Sequence, residues 1–186
     1  MNNKKLLMMV EVAIFAAIGL VLDQISFSLW AQGGSISFVM LPIMLMSIRW
    51  GLLAGLATGL IIGVLQMMFG AYIVHWLQAI LDYGLAFTVV GFVAVTRKPL
   101  LEAAKSMNKM KMTIYIVLGA LLGGSLRFIS HLLAGVIFFK EYAGDENVWL
   151  YSIIYNTSYM LPATLLTALI AALLFTNAPR LLQTTK

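Results

Sequence analysis

The sequence contains no cysteine, and with that go disulfides, thiolate metal sites and cysteine nucleophiles. Charge is also scarce: 10% of the 186 residues are Asp, Glu, Lys or Arg, against 62% that are hydrophobic. A soluble domain spends about a quarter of its residues on charge, so water is not the main solvent of this chain. Its two histidines, His75 and His131, occur without anything resembling HExxH, so the sequence carries no metal-binding pattern and implies no cofactor. There is no GxxxxGK(S/T) loop to cradle nucleotide phosphates. Energy for any transport cycle would have to come from another chain.

What is present is apolar length. Mean hydropathy is +0.97, and apolar runs recur along the whole chain between short polar stretches. This reads as an all-α integral membrane protein, one membrane-embedded domain over residues 1–186. Two lysines precede the run from Leu6 to Leu22, as in a signal peptide. That run is 17 residues long and no small-x-small cleavage site follows it before Asp23, so a retained first span is expected.

Six spans are expected, at 6–22, 36–48, 51–69, 76–96, 113–139 and 148–175. The second is short: thirteen residues at about 1.5 Å each cover only about 20 Å. It must borrow residues from the Gly33-Gly34 side or sit short in the bilayer, with a kink expected at Pro42. The six-transmembrane-helix bundle is oriented by its basic residues. Lys4, Lys5, Arg49, Arg97, Lys98, Lys105, Lys109, Lys111, Arg180 and Lys186 all fall on one side, ten of the twelve in the chain. The positive-inside rule makes that side cytoplasmic and both termini N-in/C-in. The net charge of +5 thus reports topology and does not point to nucleic acid.

Polar residues inside the spans carry the functional signal. A carboxylate at mid-helix costs roughly 2.5–3.5 kcal/mol on insertion scales, so it normally faces a cavity or a partner. Asp82, in AILDYGLAF, comes about six residues into the fourth span, in its outer half, and shares a face with Gln78. Arg127 lies near the middle of the fifth span and His131 one turn later. Phe138, Phe139, Trp149, Tyr151, Tyr155, Asn156, Tyr159, Tyr72 and Trp76 fall at or above the same depth. All are expected to converge on one extracellular pocket suited to a planar, cationic heterocycle.

Each signal has a structural alternative. Asp82 could pair with Arg127 across two spans. His131 could make an interhelical hydrogen bond, Asn156 could be packing glue, and Trp149 reads better as part of an aromatic belt. Gly55, Gly59 and Gly63 form GxxxGxxxG and are expected to let neighbouring helices approach. Ala13 and Ala17 form an AxxxA pair that packs within the bundle or faces another protein.

Five segments in order, QGGSIS (32–37), LPIMLMSIRWG (41–51), LDY (81–83), RFISHLLAGVIFF (127–139) and YSIIYN (151–156), closely resemble the thiamine-binding S component of energy-coupling-factor (ECF) transporters, the ThiT family. The resemblance covers nearly the whole chain. It implies a substrate-binding protein of the bacterial cytoplasmic membrane that captures thiamine outside the cell. Its implied partners are an ECF transmembrane coupling protein and two ABC-type ATPases, with no enzymatic activity of its own. By the same resemblance, Asp82 is the acid that hydrogen-bonds the aminopyrimidine ring and His131 lies beside the rings. Tyr151 and Asn156 are contacts from the last span, Tyr72 and Tyr83 are walls, and Arg127 fills a basic position held by lysine in some relatives. Phe139 stands where some members have tryptophan, and Asp82 where some have glutamate. Trp30 to Ser35, with Gly33, match a lid loop, and Ala13 and Ala17 match the surface that docks on the coupling protein.

Three rivals share some of these features. An S component for another vitamin would share the fold and differ in the pocket. A channel or structural membrane protein would have no use for the pocket. An intramembrane serine protease would need Ser125 and His131 together, but six residues of helix rotate them about 240° apart, onto different faces.

Overall fold

The computed structural model describes residues 3–30, 33–69 and 71–184, with Trp30 and Gly33 described by backbone alone. The elements are helix α1 (Asn3–Gln24), strands β1 (Phe27–Trp30) and β2 (Gly33–Ile36), and helices α2 (Met40–Trp50), α3 (Leu52–Met68), α4 (Trp76–Lys105), α5 (Lys109–Phe138) and α6 (Val148–Asn177). Short 3-10 turns follow α5 (Lys140–Ala143) and α6 (Pro179–Leu182). By length and composition α1, α4, α5 and α6 can cross a membrane, and α2 and α3 are shorter apolar helices.

Surface composition follows from the solvent these helices meet. On α1 only Val12, Ala16 and Gly19 are buried, and Val10, Ile14, Ile18 and Val21 are exposed. A helix apolar all round with one narrow packed face belongs in lipid. The buried core is instead centred on α2, with Met40, Ile43, Met44, Met46 and Ile48 wrapped by the other helices.

Three local expectations change. Residues 36–39 do not extend α2 backwards: Ile36 ends β2, which pairs with β1 in an antiparallel hairpin, Phe27 opposite Ile36 and Trp30 opposite Gly33, and 37–39 connect the strand to the helix. Helix α2 therefore stays at 11 residues, about 17 Å at 1.5 Å per residue. Pro42 causes no break, since it falls in the first turn, where a missing N–H costs no intrahelical bond. The basic stretch after Thr96 is helix rather than loop: Arg97–Lys105 continues α4, burying Leu100, Ala103 and Ala104. Hydropathy ends at Arg97, but RKPLLEAAK keeps an amphipathic face, and that suffices. The chain then turns at Met107, φ 52°, and Asn108 caps α5 by accepting from Lys111 N at 3.0 Å.

Helix α4 is not uniform. Ile80–Leu85 is π-helical and Val89–Thr96 is 3-10. Its close approach to α3 has a definite cause. A Cβ on Gly59 would strike the Phe87 carbonyl, and one on Gly63 the Tyr83 carbonyl. The glycine stripe of α3 lets the α4 backbone lie directly on it.

The two ends of the bundle differ. One holds the hairpin, the start of α4, the end of α5 and the start of α6. The other gathers most of the basic residues. There Arg49 meets Glu11 in a two-pronged ion pair, with Nε at 2.6 Å and Nη2 at 2.8 Å. It also donates to the carbonyls of Leu181 (3.0 Å) and Gln183. Trp50 Nε1 donates to Glu11 at 2.6 Å. Arg97 Nε donates to the Ile48 carbonyl at 2.8 Å, capping the otherwise unpaired end of α2.

Candidate functional site

A carboxylate in an apolar helix needs a partner, and Asp82 has two. Its Oδ2 accepts from Gln78 Nε2 at 2.7 Å, and its Oδ1 lies 2.8 Å from His131 Nδ1. Gln78 reaches it because the two are one turn apart on α4. Gln78 is 1% exposed and also ties down the segment before the helix, donating to the Tyr72 carbonyl (3.2 Å) and accepting from Val74 N (3.2 Å). The π-helical segment begins at Ile80, so Asp82 and Tyr83 project from a locally widened turn, a departure that recurs at functional sites.

Arg127 does not pair with Asp82. Its Nε donates to His131 Nε2 at 3.3 Å, and its guanidinium carbon lies 4.3 Å from the centre of the Phe87 ring. The histidine therefore stands between the two charges. Because Arg Nε can only donate, His131 Nε2 must accept, which assigns the proton to Nδ1 and aims it at Asp82. Arg127 is 5% exposed. Its direct neighbours are an aromatic face and the imidazole, and it lines the same cavity as the carboxylates of Asp82 and Asp23.

These groups face a cavity of about 350 Å³, within the range of small-molecule sites. Asp82, Tyr83, Arg127, His131, Phe139, Tyr72, Tyr151 and Asn156 all line it. Aromatic rings form two of its walls. Phe139 stacks near Tyr72 with centroids 6.2 Å apart, and the Tyr72 and Tyr142 hydroxyls meet at 2.8 Å. Tyr151 stacks on Tyr155 at 6.1 Å, and Tyr155 meets Tyr159 edge-on at 5.7 Å. Asn156 is fixed within α6: its Nδ2 donates to the Ser152 carbonyl (2.8 Å), and its Oδ1 accepts from the Tyr159 hydroxyl (2.6 Å). It is both wall and packing glue.

The hairpin contributes Ser28, Gly34 and Ser35 to the lining. Gly34 has φ +75°, and a Cβ there would meet the Tyr159 ring at 2.8 Å. Both the turn and the tight seat on α6 demand glycine. The Trp30 side chain, Ala31, Gln32 and the side-chain environment of Gly33 lie outside what the structure describes, so the expectations placed on Trp30 and Gly33 rest on the backbone of the hairpin alone.

Convergence is narrower than the sequence suggests. Trp76 and Trp149 are exposed, at 67% and 52%, and do not line the cavity. Phe138 stacks on His75 at 5.1 Å, away from it. Span depth places residues along a helix but leaves their direction open, and these three point outward. Ser125 is likewise exposed on α5 while His131 faces the cavity, so the protease pair does not assemble. Ala13 and Ala17 are exposed on α1, and Ala16 between them is buried.

Sequence reasoning missed Asp23, Gln66 and Ser152, which also line the cavity. Asp23 reads as the polar end of an apolar run, yet its Oδ1 accepts from Ser37 Oγ at 3.2 Å inside the bundle. Gln66 carried a usable signal, a polar side chain within an otherwise apolar helix.

Comparison with known proteins agrees throughout the chain. Residues 9–183 match the family model described as thiamine transporter protein (Thia_YuaJ). The chain is 39% identical to the thiamine transporter ThiT of Bacillus subtilis strain 168, covering 100% of this chain and 98% of that one. It is 32% identical to ThiT of Lacticaseibacillus paracasei, over 97% and 92%. The solved structure of ThiT from Listeria monocytogenes superposes with a TM-score of 0.92 at 33% identity, covering 98% of this chain and 100% of the other. The chain therefore belongs to the thiamine transporter protein family, multi-pass bacterial membrane proteins that transport and do not catalyse.

Proposed function

We propose that the cavity at the hairpin end binds thiamine from the extracellular side, and that this protein is the substrate-capturing S component of an ECF-type transporter. One observation carries the reading: Asp82, fixed by Gln78 and by the Nδ1 proton of His131, lies in a cavity walled by stacked aromatic rings. Thiamine offers a matching set of groups, an aminopyrimidine that donates hydrogen bonds and a thiazolium whose charge suits π-faces and a carboxylate. Tyr72 and Phe139 would together form one aromatic wall against a ring, with Tyr83, Tyr151 and Asn156 completing the walls. Arg127 holds His131 in its tautomer.

In this reading all six helices cross the bilayer as a single domain with both termini cytoplasmic. The ten basic residues on one side support that orientation. The short α2 is accommodated because it is enclosed by protein and not by lipid. The β1–β2 hairpin acts as the lid. Exposed Ala13 and Ala17 on α1 offer a smooth face to a transmembrane coupling protein, whose two ATPases supply the energy.

Isothermal titration of the purified protein in detergent tests the reading, with thiamine and a panel of other vitamins as ligands. Thiamine should bind tightly and the others should not. Tight binding of another vitamin with none of thiamine would transfer the site to that ligand. Co-purification with ATPase partners tests the assembly separately.

A further inference from the structure

The back of the β1–β2 hairpin is apolar where water would call for charge. Ser28 stands opposite Ser35 and both line the cavity, whereas Phe27 stands opposite Ile36 on the other face. Side chains alternate along a strand, so Phe27 and Leu29 point away from the cavity together. With Ile25 just before them they are strongly exposed, at 66%, 42% and 72% in that order. No charged residue occurs between positions 24 and 48, and β1 pairs with no strand but β2 among the described residues. Strand edges that face water are commonly guarded by lysine or proline, and Phe27–Trp30 has neither.

This apolar face continues a surface already assigned to lipid. Val10, Ile14, Ile18 and Val21 are exposed along α1, at the spacing of a single helix face. Ile25 extends that stripe by one turn, its N–H still donating to the Val21 carbonyl at 3.2 Å. The lipid-facing stripe of α1 therefore leads onto the back of the hairpin.

We propose that Ile25, Phe27 and Leu29 form a membrane-contact surface that rests in the outer leaflet, where headgroups meet acyl chains. The depth is bounded from both sides. Large apolar side chains gain by leaving water, while the unpaired backbone groups of the β1 edge cannot enter hydrocarbon without partners. The interfacial layer satisfies both. The cavity then opens beside lipid headgroups, and the hairpin moves against the bilayer whenever it lifts. The inference rests on the membrane placement proposed above and not on the identity of the ligand.

The chain has no cysteine, so single nitroxide labels can be attached to Val21→Cys, Phe27→Cys, Leu29→Cys and Glu146→Cys. Glu146 is exposed in the loop between α5 and α6 and serves as the water reference; Val21 is the lipid reference. Each labelled protein is placed, without ligand or coupling protein, in vesicles of phosphatidylethanolamine and phosphatidylglycerol. Collisions with oxygen, which dissolves in lipid, are compared with collisions with a water-soluble nickel complex. Positions 27 and 29 should follow Val21, with an oxygen-to-nickel ratio at least about fivefold that of Glu146, because an apolar medium excludes the polar complex. The two positions are read independently, and melting curves report the folding of each variant. Ratios at 27 and 29 equal to that at 146 overturn the inference. Spin–spin broadening at position 27 that vanishes on dilution with unlabelled protein gives this face to a second copy of the chain, and also overturns it. A Val21 label as open to nickel as Glu146 defeats the membrane placement and this inference together.

Discussion

The two ends of this bundle solve the problem of polar groups in an apolar solvent in opposite ways. At the basic end Arg49 is used up by Glu11 and two carbonyls, and Arg97 by the carbonyls that close α2. Around them Leu100, Met112, Ile116, Phe175 and Leu182 are fully buried. At the hairpin end Asp82, His131 and Arg127 are held in a chain that faces a cavity, and the buried Gln66 Nε2 has no acceptor among the described residues. Regular α-helix gives way there to strand and π-helix. One end closes its polar groups on one another, and the other arranges them around a cavity.

Substitutions at the two ends should separate affinity from stability. Asp82→Ala removes the group that the site is built around. Titration should show at least about a 100-fold loss, about 2.7 kcal/mol, alongside a fall in stability of about 1–3 kcal/mol as Gln78 and His131 lose their acceptor. Gly63→Leu tests the seam between the regions, because its side chain must push the Tyr83 carbonyl and with it the π-helical segment that carries Asp82. Overpacking of this kind costs about 1–3 kcal/mol, so affinity should fall by roughly tenfold and the melting temperature should drop with it.

Phe139→Trp sharpens the comparison in the other direction. A larger π-face beside Tyr72 should improve binding of a cationic ring by about two- to fivefold, a fraction of the roughly 0.5–2 kcal/mol such contacts supply. The same titration checks it. Glu11→Ala leaves the cavity untouched but strips Arg49 and Trp50 of their shared acceptor. Stability should fall by about 1–3 kcal/mol in a melting assay, with thiamine affinity unchanged. A fall in affinity equal to that of Asp82→Ala would mean that the two ends are not separate.

The same contrast explains how much of this was legible in the sequence. Apolar run lengths located the helices, and an acid at position 82 announced a cavity or a partner, because hydrocarbon penalises both features bluntly. Direction was not legible. Trp76 and Trp149 share the depth of Tyr72 and Tyr151 but face outward, and rotation about a helix axis is set by packing that hydropathy does not encode. Asp82 finding His131 rather than Arg127 depended on the same rotation. The hairpin was hidden because QGGSIS can extend a short helix or turn back as a strand, and its pairing with Phe27–Trp30 and its seat against Tyr159 are long-range contacts. The helix through Arg97–Lys105 was hidden because its signal is amphipathic and not apolar. Gln66, a polar side chain in an apolar helix, was legible by the same penalty that marks Asp82.

The most direct test is an experimental structure of the protein crystallised with thiamine. It should place the aminopyrimidine and thiazolium rings in the cavity beneath the hairpin, with Asp82 within hydrogen-bond distance and a ring against Tyr72 and Phe139. Thiamine bound elsewhere, with the Asp82–His131 pair undisturbed and the cavity holding no ligand, would contradict the account.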